Sequence, residues 1–213
     1  MEAVYGDRGV DAVLRVLDVS IASGVLVTCS PLFGAVALGI RLSSGAPVLY
    51  RGARVGRGGR IFGMYKFRTL APDAETRLGP YLGDELTART RHEVTTLGRA
   101  LRATHVDELP QFVNVLLGDM SVVGPRPVRP AFLVELTEEI PQYWQRLVVR
   151  PGVTGFAQTR IRREETWSDK LSHDLEYIAD RSAALYFQVL VSTALRIARR
   201  SLGGIGALAR RRS

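Results

Sequence analysis

Between Val19 and Ile40 the chain reads VSIASGVLVTCSPLFGAVALGI, 22 residues without a formal charge. A straight helix of that length reaches about 33 Å, enough for the hydrocarbon core of a bilayer. The run therefore demands either a membrane-associated architecture or a helix buried on every side. Asp7, Asp11 and Asp18 interrupt the basic flank upstream, which makes the segment a poor secretory signal peptide. Pro31 stands near the middle and cannot donate the helical bond to the Val27 carbonyl, while Thr28 and Ser30 are close enough to help satisfy the broken turn. The expectation is a kink. If it is sharp, each arm is too short to span, and the segment enters and leaves through one leaflet as a re-entrant hairpin. A single transmembrane helix is the nearest alternative. A buried soluble helix fits less well, because the run has little polar face. Arg8 and Arg15 precede the run, and Arg41, Arg51, Arg54, Arg57 and Arg60 follow it, so both flanks can remain cytoplasmic.

The full length of 213 residues suffices for one core with an appended membrane element. Its only cysteine, Cys29, excludes an internal disulfide and reads as a small hydrophobe. A formal charge of +8, from 29 basic against 21 acidic residues, favours anionic partners: nucleic acid, lipid headgroups or phosphorylated substrates. Nearly all the basic residues are arginines, whose planar fork suits phosphate. Ser43 to Pro47 (SSGAP) reads as a turn at the membrane exit, dividing an N-terminal hairpin (1–48) from a polar body (49–213).

Arg51 to Leu70 (RGARVGRGGRIFGMYKFRTL) combines turn-forming glycines with a strand or hairpin after Gly59. On an extended strand Lys66 and Arg68 share a side and could clamp a phosphate. The glycines match neither a Walker loop nor a dinucleotide fingerprint. Arginines interleaved with Phe62, Tyr65 and Phe67 leave single-stranded nucleic acid open as a ligand. Downstream, Ala74 to Leu78 has weak helical character, and Arg99 and Arg102 share one side of a short helix, as surface charge or phosphate contacts.

In THVDELPQF (Thr104 to Phe112) two acids precede the helical stripe of Leu109, Phe112, Val113 and Leu116. Pro110 fits the first turn, and Asp107 falls at or near the N-cap, a sufficient structural role for one acid. The second acid is not explained that way. Adjacent helical residues do not face one another, so Asp107 and Glu108 need not share one role. Asp107 at the positive helix end is suited to act as nucleophile or metal ligand. Glu108 could hold a cation, orient the nucleophile or accept a proton. Asp119 reads as a turn cap or a cation ligand. In GPRP, prolines restrict the loop on both sides of Arg126, which fits a phosphate clamp. RPGVTGFAQ (Arg150 to Gln158) reads as a turn or loop with backbone donors and Arg150 at its entrance. Arg160, Arg162 and Arg163 follow as a charge cluster, and Leu185 to Arg200 forms a helix suited to a membrane surface or to packing on the body.

Taken together, VLDVSIASGVLVTCSP, RVGRGGRIFGMYKFRTL, THVDELPQFVNVLLGDMSVVGPRP and RPGVTGFAQ with DLEYI resemble the bacterial sugar transferase family, the monotopic phosphoglycosyl transferases. The resemblance covers most of the chain. It implies an α+β, helix-rich monotopic membrane protein with a Pro-kinked re-entrant hairpin, a small catalytic domain with a short β-hairpin, and surface amphipathic helices. It also implies transfer of a phosphosugar from a nucleotide diphosphate sugar, such as a UDP-sugar, to polyprenyl phosphate at the cytoplasmic face of the bacterial inner membrane. Asp107 is then the covalent nucleophile and Glu108 its partner at a Mg2+ centre, with Lys66, Arg68, Arg126 and Arg150 binding phosphate. Anionic lipids and downstream glycosyltransferases are the further partners expected, and nucleic acid is not. A membrane scaffold without catalysis, or a nucleic-acid-binding protein, is the alternative. Three positions depart from the family pattern, Glu93, Ile161 and Tyr186, and they bear on donor recognition.

Overall fold

The computed structural model describes residues 9–74, 90, 92–160 and 166–210. Two helices, α1 (Gly9–Thr28) and α2 (Ser30–Ser44), meet at a 60° bend. Pro31 sits in the first turn of α2 and leaves the Val27 carbonyl without its helical donor; Ser30 Oγ donates to that carbonyl at 2.8 Å. The break is therefore satisfied locally. Among the described residues no single helix is long and apolar enough to cross a membrane, whereas the bent pair together passes that test. This is the re-entrant geometry, not the straight span. Val16, Val27, Leu38 and Leu42 stay exposed on the pair, as do Val191 and Leu195 on the C-terminal helix α8 (Ala183–Arg210).

The inward side of α1 is specified by one acid. Asp18 is buried, and its Oδ1 accepts from Ser121 Oγ at 2.9 Å, Val122 N–H at 2.8 Å and Tyr186 O–H at 2.8 Å. One carboxylate thereby joins α1 to β3 (Ser121–Val123) and α8. Leu14 and Ala22 flank it in a core shared with Met64, Val115, Met120, Val123, Ile178 and Val189. Tyr186, a departure from the family pattern, is thus a core residue of the body.

Strands β1 (Leu49–Val55) and β2 (Ile61–Phe67) form an antiparallel hairpin, with Tyr50 opposite Lys66 and Gly52 opposite Met64. Gly58 and Gly59 make the turn at positive φ (64° and 79°), a conformation that costs a glycine little. Phe62 and Phe67 are buried, and the Arg51 guanidinium lies over the Tyr65 ring, so these aromatics do not form an open stacking surface. Next come α3 (Thr96–Thr104), α4 (Gln111–Leu117), β3 and α5 (Pro130–Glu139), then the tight turns of Pro141–Val148. β4 (Gly152–Thr154), α6 (Phe156–Arg160) and α7 (Trp167–Asp180) lead into α8.

The RPGVTG segment, expected as a loop, is instead β4 running parallel to β3, with Ser121 opposite Gly152 and Val123 opposite Thr154. A Cβ on Gly152 would come within 2.1 Å of Gly124 N, so this close crossing of the two motif segments requires glycine. The helical possibility beyond Ala74 lies outside the described residues, as do Arg8, Ile161, Arg162 and Arg163. Arg160 pairs with Glu176 at 2.9 Å.

Candidate active site

The two acids stand on a turn between short helices, not on a helix. Thr95 caps α3 by accepting Gly98 N–H, and His105 ends it at φ 58°, its N–H donating to the Arg102 and Leu101 carbonyls. That left-handed residue reverses the chain. A single 3-10 turn, Val106–Glu108, follows, and α4 then starts after Pro110. The N-cap position of α4 is Pro110, with no side-chain capping bond, so Asp107 is not the cap expected from the sequence. Val106 packs against a small core of Val36, Ile40, Phe67 and Leu101, which seats the turn on the second arm of the hairpin. Asp107 is 8% exposed.

Lys66, Glu108 and Arg126 come together. Lys66 Nζ lies 2.5 Å from Glu108 Oε1, and Arg126 Nη2 lies 3.8 Å from the same oxygen. Burial opposes ionisation of Glu108, but Lys66 and then Arg126 outweigh it and hold this carboxyl below its ordinary range. Asp107 moves the other way. Burial pushes its carboxyl up, Lys66 opposes this, Glu108 adds to it, and Arg102 and His105 pull it back. Two neighbouring acids therefore have different proton affinities, and a partly desolvated carboxylate faces a cluster of cations. Such an arrangement suits an oxygen nucleophile beside phosphate-binding groups.

Arg102, read from the sequence as surface charge or a phosphate contact, faces this centre. Its Nε donates to Thr69 Oγ1 at 2.9 Å, burial lowers its pKa, and Asp107 opposes that shift. Arg99 turns elsewhere, to the Val94 carbonyl and Thr96 Oγ1. The sequence signal for Arg102 was its position five residues before Asp107, but only the αL turn at His105 brings the two together.

Arg68 does not join Lys66. Its guanidinium donates to the carbonyls of Ser44, Gly45 and Ala46 at 2.7 to 2.8 Å and to Ser44 Oγ at 2.9 Å. It thus holds the exit of the hairpin, where a cation also suits the C-terminal carbonyls of α2. Arg150 is likewise apart, at the opposite end of α4 from the acids. Its Nε donates to the Gly118 carbonyl at 3.0 Å, beside Arg15, which donates to the Val115 and Leu116 carbonyls. In the GPRP loop the Arg126 carbonyl accepts from Arg146 Nη2 at 2.9 Å, and Arg146 is itself paired with Asp174 at 2.6 Å. Nothing in the sequence around Arg146 marks it for this contact.

Among the described residues no group of three or more His, Cys, Asp or Glu side chains converges. Asp107 and Glu108 alone match the one or two carboxylates with which proteins commonly hold magnesium when substrate phosphates supply further oxygens.

A model of the bacterial sugar transferase family matches residues 10–200, and the chain belongs to that family. It is 37% identical over 196 residues to the UDP-N-acetylgalactosamine-undecaprenyl-phosphate N-acetylgalactosaminephosphotransferase of Aeromonas hydrophila, covering 91% of this chain and 44% of that protein. A UDP-glucose:undecaprenyl-phosphate glucose-1-phosphate transferase of Caulobacter vibrioides is 41% identical over 174 residues, 79% of this chain and 63% of the relative. The exopolysaccharide production protein PSS of Rhizobium leguminosarum bv. phaseoli is 36% identical over 188 residues, 84% and 92% of the two chains. The chain thus spans less than half of the Aeromonas protein and nearly all of the Rhizobium one.

Proposed function

We propose that this protein transfers a phosphosugar from a nucleotide diphosphate sugar to polyprenyl phosphate in two displacements at phosphorus. Asp107 Oδ attacks the phosphorus that bears the sugar. The bond from that phosphorus to the bridging oxygen breaks, and nucleoside monophosphate leaves with the electron pair. A phosphate oxygen of the polyprenol then attacks the same phosphorus, releasing Asp107 and forming polyprenyl-diphosphosugar. The observation that carries this reading is the convergence of Asp107 and Glu108 with Lys66, Arg102 and Arg126, in a member of this family.

Lys66 and Arg126 stabilise phosphate charge, while Arg102, after Lys66, opposes the upward shift that burial imposes on Asp107. Arg68 and Arg150 contribute through the architecture around the site. Asp107 and Glu108 are the residues that would hold magnesium, which supplies neutralisation of diphosphate charge when bound. UDP-sugar and undecaprenyl phosphate are the substrates named for the Aeromonas and Caulobacter relatives, and we assign the same classes here. The bent helix pair and the apolar face of α8 support a monotopic placement on the bacterial inner membrane, with 49–213 as the catalytic body on its cytoplasmic face.

The test is incubation of the membrane-reconstituted protein with labelled nucleotide sugars, magnesium and undecaprenyl phosphate. An organic-extractable product with stoichiometric nucleoside monophosphate is expected. No product across a broad donor panel from folded protein would refute the assignment.

A further inference from the structure

The hairpin β1–β2 is a two-stranded sheet, so β2 has a second edge whose backbone groups need partners. At the level of Met64 that edge presents the Gly63 carbonyl and the Tyr65 N–H. Both are taken by one side chain. Asn114 Nδ2 donates to the Gly63 carbonyl at 2.9 Å, and Tyr65 N–H donates to Asn114 Oδ1 at 2.9 Å. A carboxamide carries a carbonyl acceptor and an amino donor side by side on one carbon. Asn114 thereby offers β2 what the N–H and C=O of one residue in a third strand would offer.

Asn114 is fully buried, and it is held from its own side as well. Its backbone carbonyl accepts Asp119 N–H at 3.0 Å and Met120 N–H at 3.2 Å. The clamp therefore joins a fixed point on α4 to a fixed register on β2. Lys66 follows Tyr65 directly, and Glu108 precedes Asn114 by six residues. The same two segments are thus linked twice, by the Asn114 clamp and by the Lys66–Glu108 ion pair. We infer that Asn114 is a positioning residue for the reaction: by setting the height of β2 against α4, it places the Lys66 ammonium on Glu108. A hydrophobic residue of similar size would fill the space but leave two buried backbone groups unsatisfied and β2 free to shift. Misplacement of a catalytic group by about 1 Å costs on the order of 100-fold in rate.

This inference rests on the proposed phosphosugar transfer for its kinetic arm and on backbone protection alone for its structural arm. The full chain is reconstituted in nanodiscs as wild type, Asn114→Ala, Lys66→Met, the double variant, and Val115→Ala as a destabilised neighbour on the same helix. Amide hydrogen exchange at Tyr65 is expected to speed at least ten-fold in Asn114→Ala, beyond any change in Val115→Ala. Unchanged exchange at Tyr65 overturns the clamp. In transfer assays Asn114→Ala is expected to lower kcat at least ten-fold with donor KM within two-fold, yet to cost less than two-fold when introduced into Lys66→Met. Equal losses in the two backgrounds overturn positioning and leave only a structural role. If Asn114→Ala does not fold, Asn114→Asp replaces it; that variant keeps the acceptor for Tyr65 and loses the donor to Gly63, with the same background dependence expected. Absence of transfer by the wild type itself would refute the proposed function, while the Tyr65 exchange still decides whether Asn114 holds the strand.

Discussion

Lys66 Nζ and Glu108 Oε1 are in contact at 2.5 Å, although 42 residues separate them in the chain. Both side chains are about one-fifth exposed, so the pair is screened less than a surface salt bridge. It leaves Asp107 as the carboxylate of the turn with no side chain donating to it among the hydrogen bonds described.

Lys66→Met should therefore act on the reaction more than on folding. Glu108 then keeps Arg126 at 3.8 Å and the more weakly acting His105, and its carboxyl rises because burial has lost its main opponent. A fall in kcat of roughly 100-fold is expected, in line with loss of one electrostatic contact in a site of this kind. Steady-state kinetics at saturating donor and magnesium measure it, and Lys66→Arg should recover part of the loss.

Asp107→Asn should abolish both turnover and the trapped phosphosugar adduct, yet raise stability at neutral pH. Asp107 has its folded pKa raised above its unfolded value, chiefly by burial. Folding thus favours the protonated acid, and the wild type loses stability as pH rises from the unfolded value through the folded one. The amide has no such dependence. Thermal melts at pH 7.5 should show a higher Tm for Asp107→Asn, and the difference should disappear as pH falls below about 4, where both chains are neutral at this position.

Arg68→Ala should behave as a loss of architecture, not of a phosphate ligand. It removes four hydrogen bonds at the hairpin exit. A stability loss of about 3 kcal/mol is expected from deleting a buried hydrogen-bonded cation, together with faster proteolysis between Ser44 and Pro47. Donor KM of the folded fraction should be unchanged. An increased KM with unaltered Tm would return Arg68 to the phosphate site.

Tyr186→Phe removes one of three donors to Asp18 and should cost about 1 to 2 kcal/mol without altering donor preference. Tyr186→Asp sets a second carboxylate against a buried one, and it should be more damaging. A donor panel run beside thermal melts separates core and specificity roles. A change in preferred sugar with Tyr186→Phe would show that this position reads the donor.

Much of this was legible where cause and effect are neighbours in the chain. Pro31 removes a donor from its own helix, so the kink and the Ser30 repair could be read from a few residues. The αL geometry at His105 and the strand β4 were not legible, because the first depends on how α3 packs and the second on pairing with a segment about 30 residues away. The direction Arg68 takes was not legible for the same reason. Alternation along a strand predicts sides correctly only while the strand continues, and β2 ends at Phe67.

By itself, the sequence determined the apolar bent segment, the adjacent acids before a proline-started helix, the rigid GPRP loop and the family to which the chain belongs. Only the tertiary structure decided which cation meets which anion. Lys66 reaches Glu108 across 42 residues, Asn114 grips Gly63 and Tyr65 across about 50, and Asp18 meets Tyr186 across 168. The physical reason is that arginines and lysines carry no address in their own sequence. Their partners are selected when burial of the apolar cores fixes the backbone, and the remaining charges must be satisfied within reach of that frame.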